Sequence, residues 1–155
     1  GVSWRSGNEE LGAARTAGLD LWRPVLATPG CAFINLQYGD VKAELDDFAG
    51  RRGIDILFDD SANPLKDMDT FAAQIAALDL VISIDNSTVH LSGALGVPTW
   101  TLLPTAPDWR WMLEREDSPW YPAMRLFRQR AAGNWTDVFT RVADSLGAFT
   151  SNTDR

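Results

Sequence analysis

The stretch LVISIDNSTVHLSGALGVPTWTLLP, residues 80–104, contains two apolar runs separated by a polar turn and a helical pattern. Residues 80–84 and 99–103 favour buried strands, and residues 87–95 between them favour a helix that Gly96 ends. A strand, a helix and a second strand form the repeating unit of a parallel sheet. Ligands of such sheets bind at the carboxyl ends of the strands, so we expect the functional residues in the turn that begins at Asp85.

The rest of the chain also alternates apolar runs with helical patterns. Further strands are predicted at residues 1–4, 31–37, 54–58 and 124–127. Helices are predicted at residues 19–27 and 41–52, after a cap at Asp67 or Asp69, and at 135–146. These elements predict an α/β fold with a doubly wound parallel Rossmann-like sheet of about six strands in the order 3-2-1-4-5-6. We expect one domain over residues 1–149 and a polar tail at residues 150–155.

Composition excludes several classes of protein. The chain has 155 residues, 45% of them apolar, which suits one globular domain. Its net charge of −7 argues against a nucleic-acid partner. Cys31 is the only cysteine, so an internal disulfide is impossible and a small core residue is expected. Because no apolar run approaches about 18 residues and no signal-peptide pattern opens the chain, we expect a cytoplasmic protein without a membrane span.

The turn at residues 85–90 has the chemistry of an anion site. The helix that follows Asp85 points unpaired N–H groups toward the crevice, and Ser87 and Thr88 add hydroxyl donors. His90 can donate a further hydrogen bond, or carry a charge if a bound diphosphate raises its pKa. In the alternative interpretation, Asn86 or Ser87 only caps the helix and His90 packs on its flank.

The same turn carries a family resemblance. Residues 85–98, DNSTVHLSGALGVP, are similar to the Asp-Thr/Ser-x-x-x-His-Leu-Ala-x-Ala-Leu-Gly-x-Pro signature of the ADP-heptose:lipopolysaccharide heptosyltransferase-like family, glycosyltransferase family 9. The resemblance is closest to members at the carboxyl end of bacterial tetratricopeptide-repeat proteins, which continue with segments similar to residues 103–111, 117–122 and 125–129. The opening GVSWRSGN, residues 1–8, resembles the first strand and loop of the family's C-terminal half.

The resemblance implies the donor-binding half of a GT-B glycosyltransferase, a fold of two Rossmann-like domains. Such an enzyme transfers a hexosyl or heptosyl group from a nucleotide-diphosphate sugar, here ADP- or UDP-linked, without a metal or another cofactor. The glycan or protein acceptor is held by an N-terminal half, without which the donor half is expected to be inactive.

Three other interpretations stay open. The chain could be a non-catalytic nucleotide-sugar-binding module, or a protein-interaction module, fused to a repeat protein. A dinucleotide-binding dehydrogenase domain is disfavoured because the loop after the first strand lacks the GxGxxG pattern. An interface with a missing half would also favour a homodimer.

The resemblance assigns donor-binding roles residue by residue. By resemblance, the diphosphate and sugar would be surrounded by Asp85, Asn86, Ser87 and His90, and the hydroxyl of Thr88 adds a donor to the same site. The loop residues Ser3, Arg5, Ser6 and Asn8 would face the same phosphates. From their positions at the end of the second predicted strand and at the head of a following helix, Gln37, Tyr38 and Met68 are expected to contact ribose or base.

The segment after residue 103 adds one more candidate. Arg110, between two tryptophans, would reach the diphosphate from its loop, with cation–π support. The other tryptophans of this segment are expected either to pack in the core or a domain interface, or to stack on sugars. The chain departs from the heptosyltransferase pattern where it has Ser87 for a glycine, and Arg5 or Arg15 for a lysine. No catalytic residue and no metal ligand is assigned.

Overall fold

A computed structural model describes residues 1–7 and 12–153 and contains a four-stranded, all-parallel sheet. Its strands lie side by side in chain order: β1 Val2–Ser3, β2 Val81–Ile84, β3 Thr99–Leu103 and β4 Met124–Arg128. Every residue of β2 and β3 is buried, as expected for central parallel strands whose two faces are covered. The predicted α/β class with a Rossmann-like parallel sheet is confirmed.

Two of the six predicted strands are not strands. Residues 31–37 and 54–58 form only single parallel bridges, Val2 with Asn35 and Ile34 with Leu57. Side-chain hydrogen bonds contribute to the interruption. Asn35 Oδ1 accepts from Gln37 N at 3.1 Å and Asn35 Nδ2 donates to Gln37 O at 3.1 Å, and Gln37 Oε1 accepts from Trp4 N at 2.9 Å. The six segments nevertheless lie in the order 3-2-1-4-5-6 across the molecule.

Helices cover the sheet. They are α1 Gly12–Arg15, α2 Arg23–Leu26, α3 Lys42–Arg52, α4 Met68–Ala76, α5 Ser87–Ala94 and α6 Trp135–Thr153. The predicted cap is Asp67, whose side chain accepts from Asp69 N and Thr70 N at the start of α4. Gly53 after α3 has the left-handed backbone that ends a helix, with φ of 65°, and Gly96, two residues beyond α5, is also left-handed with φ of 73°.

The helix boundaries correct the sequence prediction at three places. The single helix expected at residues 19–27 is a 3-10 turn, Leu19–Trp22, followed by α2, which has a proline in its first turn. The short helix α1 lies between β1 and this turn, where the sequence pattern predicts no helix. Finally, α6 continues through the residues assigned to a polar tail, as far as Thr153. There the hydroxyls of Thr150 and Ser151 donate to Gly147 O.

The main core lies between the sheet and helices α2, α3 and α6. A smaller cluster of Val89, Leu103, Trp111, Met124 and Leu126 packs under α5 on the other side. Cys31 is only partly buried and packs against the edge of the main core, and burial raises the pKa of its thiol.

Candidate functional site

Several of the predicted site residues lie at the carboxyl edge of the sheet. The loop after β1 and the start of α5 meet there, and the loop after β3 reaches the same edge through a 3-10 turn at Trp109–Trp111. Three arginines come from these segments: Arg5, Arg15 and Arg110. The structure therefore brings together the turn at residues 85–90 and two of the predicted loop residues, Ser3 and Arg5.

Asn86 joins the start of α5 to the loop after β1. Its Oδ1 caps the helix by accepting from Thr88 N at 3.0 Å, and it also accepts from Ser83 Oγ at 3.2 Å. Its Nδ2 donates to Ser3 Oγ at 2.7 Å and to Arg5 O at 3.2 Å. The capping interpretation is thus confirmed for Asn86, and the same side chain also fixes the loop after β1.

Gln37 shapes that loop from the neighbouring segment. Its Oε1 accepts from Ser3 Oγ at 3.0 Å, Trp4 N at 2.9 Å and Arg5 N at 2.7 Å. The residue is 4% exposed, and its Nε2 donates to the Tyr38 carbonyl at 3.4 Å. The side chain whose position predicts a contact with ribose or base is therefore occupied by backbone and hydroxyl groups of the protein.

Asp85 ends β2 as a buried carboxyl group, 3% exposed. Burial raises its pKa above the ordinary aspartate value, against the opposing effects of the Trp111 indole, Arg15 and His90. Arg15 Nη1 lies 3.0 Å from Asp85 Oδ2, and Arg15 Nη2 lies 4.0 Å from Asp108 Oδ2. Arg15 was named from the sequence only as a substitute for a family lysine, and its direct contact with Asp85 is a finding of the structure.

His90 is enclosed by two aromatic rings. Its ring stacks on Trp111 at a centroid distance of 5.2 Å and an interplanar angle of 20°, and its Nδ1 lies 3.0 Å from Tyr121 Oη. Burial lowers the pKa of His90, and Arg110 acts in the same direction, whereas Asp85 and Asp108 oppose it. Without a ligand the ring therefore favours the neutral form, in contrast to the raised pKa expected beside a diphosphate.

The other two arginines are also paired with carboxylates. Arg5 Nη2 lies 3.2 Å from Glu44 Oε2, and Arg110 Nη1 donates to Asp108 Oδ1 at 2.9 Å. The Arg110 guanidinium also lies over the Trp109 ring, 4.7 Å from its centroid. An incoming anion would therefore compete with these carboxylates for the guanidinium groups of Arg5 and Arg110.

The remaining predicted residues differ in how they are placed. Ser87 is exposed at the first position of α5, whereas Thr88 is 1% exposed and its hydroxyl has no hydrogen-bond partner in the described chain. Ser6 N donates to Thr16 Oγ1 at 3.3 Å. Met68 is 53% exposed at the start of α4. Asn8 lies outside the described residues.

The hydroxyl of Tyr38 lies very close to the backbone of Gly7. A Cβ atom on Gly7 would lie 2.2 Å from Tyr38 Oη, so only glycine admits the phenol at that distance. This contact places Tyr38 beside the loop after β1, in agreement with the predicted neighbourhood.

The tryptophans of residues 100–135 fall into two groups. Trp100, Trp111 and Trp135 are buried in the core, as one of the two interpretations expected. Trp109 and Trp120 are 68% and 52% exposed, and their rings meet edge to face at 6.1 Å. The exposed pair lies in the same loop as Arg110.

Other features of the described chain lie away from this edge. A cavity of about 780 Å³ opens at the amino ends of the strands and is lined by residues that include Gly1, Cys31, Leu80 and Phe149. Residues 1–7 and 12–153 hold no cluster of three or more histidine, cysteine or acidic side chains that could bind a metal ion. Nor do they contain a helix with the length and apolarity that a membrane crossing requires.

Comparison with known proteins relates the chain to part of a longer protein. No protein-family model and no solved structure matches the chain. It is 38% identical over 153 residues to Protein FlbA of Caulobacter vibrioides, and this match covers 98% of the chain and 25% of FlbA. The chain therefore spans about a quarter of the length of the curated relative that it matches.

Proposed function

We propose that this chain is a nucleotide-diphosphate-sugar-binding domain of a GT-B glycosyltransferase that transfers a hexosyl or heptosyl group without a metal ion. The observation that carries the proposal is the position of the α5 amino terminus. It lies at the carboxyl end of the central strand β2, directly after the Asp85–Arg15 pair and tied through Asn86 to the loop that bears Arg5. Helix amides and guanidinium groups are the donors that a diphosphate requires.

The charges at the carboxyl edge of the sheet support the binding of a phosphate by Arg15, which already pairs with a carboxylate. Asp85 is buried and its pKa is raised, so its charged form is costly and Arg15 compensates for it. A diphosphate oxygen placed at the start of α5 would provide Arg15 with a second, multidentate anionic partner. Donors already aimed at that position would stabilise the charge that develops on the leaving diphosphate during transfer.

The resemblance of residues 85–98 to glycosyltransferase family 9 supports the same conclusion. From that resemblance we also propose an ADP- or UDP-linked donor and a glycan or protein acceptor bound by a separate N-terminal half. On the composition of the chain and on the interface that such a half would cover, we further propose a cytoplasmic location and a homodimer. In this proposal the described domain holds the donor and the acceptor half supplies the general base.

A second candidate function has its own observation. Trp109, Met112, Leu113 and Trp120 are large apolar residues with exposures between 44% and 68%, and all four lie in the loop after β3. An exposed apolar group of this size favours contact with another protein surface. A protein-interaction module without donor binding is therefore the alternative.

Calorimetric titration with ADP, UDP, GDP and CDP separates the two candidates. We expect one diphosphate to bind, and Arg15→Gln to weaken its binding by about 1.5–3 kcal/mol, as for the loss of a hydrogen bond to a charged group. Arg52→Gln is the matched control, since Arg52 pairs with Asp20 at the exposed end of α3. If none of the four diphosphates binds, or if Arg15→Gln binds like Arg52→Gln, the donor-binding proposal is wrong.

A further inference from the structure

Tyr121 crosses α5 and contacts His90, and this is possible because position 93 of the helix is a glycine. Gly93 lies one helical turn after His90, and a Cβ atom at Gly93 would be 2.6 Å from Tyr121 Cγ and 2.8 Å from Tyr121 Cδ1. Gly93 has an ordinary helical backbone, so the requirement for glycine is one of space. Tyr121 packs there against the cluster under α5, and its hydroxyl meets His90 Nδ1 at 3.0 Å.

The contact determines which nitrogen of His90 is available. Nδ1 is occupied by Tyr121, whereas Nε2 makes no hydrogen bond within the described residues. A phenol is a stronger hydrogen-bond donor than acceptor, and a neutral imidazole has one N–H donor and one acceptor nitrogen. When Tyr121 donates to Nδ1, the ring hydrogen must therefore be on Nε2. Stacking on Trp111 holds the plane of the ring in the same orientation.

We propose that Tyr121 is a positioning residue that fixes His90 in the tautomer with its hydrogen on Nε2, and that Gly93 provides the space this contact needs. The consequence for binding rests on the proposed function: Nε2–H would donate to an anionic oxygen of the diphosphate. In the opposite tautomer Nε2 would present a lone pair to that oxygen and repel it.

The charges around His90 agree with a neutral ring. Asp85 at the end of β2 and Asp108 in the loop after β3 favour protonation, whereas burial and Arg110 oppose it, and the net effect lowers the pKa of His90. A neutral histidine has a choice between two tautomers, and the choice then depends on the partner of Nδ1. Tyr121 is that partner.

Nitrogen-15 NMR of the imidazole tests the tautomer directly. His90 is the only histidine of the chain, so a protein labelled at histidine gives a single ring to assign. At pH 8 we expect the hydrogen on Nε2 and a hydrogen-bonded Nδ1. Tyr121→Phe and Gly93→Ala should both move the Nδ1 resonance toward that of a nitrogen without a hydrogen-bond donor. A hydrogen on Nδ1 in the wild type, or an unchanged Nδ1 resonance in Tyr121→Phe, would overturn the proposal.

Two matched variants control for general effects of substitution on the spectrum. Tyr38→Phe removes the hydroxyl of the chain's other tyrosine, and Gly50→Ala adds a methyl group to a glycine of α3 that has open space around its Cβ position. Neither variant touches the Tyr121–His90 contact, so both should retain the wild-type Nδ1 resonance. If the Nδ1 resonance shifts as much in these controls as in Tyr121→Phe, it responds to any substitution in the protein. The NMR result would then no longer support the proposal.

Titration with the four nucleoside diphosphates separates this inference from the proposed function. If one binds, Tyr121→Phe should weaken its affinity about fivefold to tenfold, which is the scale of one hydrogen bond. Equal affinity in the wild type and Tyr121→Phe would contradict the role of the tautomer in binding. If the wild type binds none, the proposed function fails, and the NMR result alone still decides whether Tyr121 fixes the tautomer.

Discussion

Asn86 and Ser3 join two parts of the chain that are 83 positions apart, through a hydrogen bond of 2.7 Å from Asn86 Nδ2 to Ser3 Oγ. The Ser3 hydroxyl donates in turn to Gln37 Oε1 at 3.0 Å. The start of α5, the end of β1 and the segment beside β1 are therefore linked by three buried polar side chains. Because these groups satisfy one another away from water, the carboxyl edge of the sheet has one defined arrangement before any ligand arrives.

Replacing Asn86 should remove two kinds of stabilisation at once. Asn86→Ala deletes the cap on Thr88 N, which contributes about 1 kcal/mol, and leaves buried partners in the loop after β1 without a donor, which costs about 1–3 kcal/mol. We expect the free energy of unfolding, measured by urea denaturation, to fall by about 2–4 kcal/mol. Asn63→Ala is the control, because within the described residues the Asn63 side chain accepts one exposed hydrogen bond, from Leu65 N, and its loss should cost well under half as much. If both variants lose the same unfolding free energy, the contacts of Asn86 stabilise the protein no more than an exposed hydrogen bond does.

Gln37→Met tests whether Gln37 holds the loop after β1. Methionine retains the length of the side chain but removes the acceptor for Trp4 N, Arg5 N and the Ser3 hydroxyl, so we expect a loss of about 2–4 kcal/mol in unfolding free energy. In Gln74→Met the control change is made at a glutamine whose Oε1 has no hydrogen-bond partner in the described chain, and stability should be unchanged or slightly raised. If Gln37→Met is as stable as wild type but loses diphosphate binding, Gln37 contacts the ligand and does not hold the loop.

The fold could be predicted where one stretch of sequence contains the whole interaction. Residues 80–104 form β2, α5 and β3 as expected, because apolar runs and a helix with a capping residue and a terminating glycine determine each element locally. Residues 31–37 have an equally apolar composition and yet form only two isolated bridges. Side-chain hydrogen bonds take up backbone groups at its end, from Asn35 to the backbone of Gln37 and from Trp4 N to Gln37 Oε1, and composition and periodicity do not reveal them.

In the candidate site, as in the fold, the local features could be predicted from the sequence and the long-range contacts could not. The grouping of Asp85, Asn86 and His90 followed from their neighbouring positions in one turn, and the structure places them at the carboxyl edge of β2. The contacts of Asp85 with Arg15, and of His90 with Tyr121, join residues that are distant in sequence. Tyr121 belongs to one of the segments that carry the family resemblance, but the sequence does not indicate which residue its hydroxyl contacts.

Glycine at position 93 should be tolerated poorly as alanine, although alanine is normally the better helix former. The gain in helix propensity from Gly93→Ala is about 1 kcal/mol, and the clash with the Tyr121 ring costs about 1–3 kcal/mol. We expect the thermal midpoint to fall. Gly50→Ala has the same propensity gain in α3 without a clash, and its midpoint should rise. A rise in both variants would show that Tyr121 moves aside at little cost and would weaken the argument that Gly93 places it.

The lowered pKa of His90 should make the protein less stable as the pH falls. The unfolded chain binds a proton at His90 near pH 6.5, whereas the folded chain binds it only at lower pH. Between these two values the unfolded state holds more protons, so the free energy of unfolding decreases as the pH drops below about 6.5. In His90→Gln this contribution disappears. We therefore expect the stability of the wild type relative to His90→Gln, measured in urea, to decline between pH 7.5 and pH 5.

The comparison of these two proteins at each pH isolates the histidine. The other titrating groups are the same in both proteins, so their contributions to the pH dependence of stability are common to the two. The raised pKa of Asp85 acts the other way, since it makes stability fall as the pH rises above about 3.8, and this effect is also present in both proteins. A difference between wild type and His90→Gln that stays constant from pH 7.5 to pH 5 would mean that folding leaves the pKa of His90 unchanged. A difference that grows in favour of the wild type at low pH would mean that the folded protein stabilises the charged ring, as an anion site filled from solution would do.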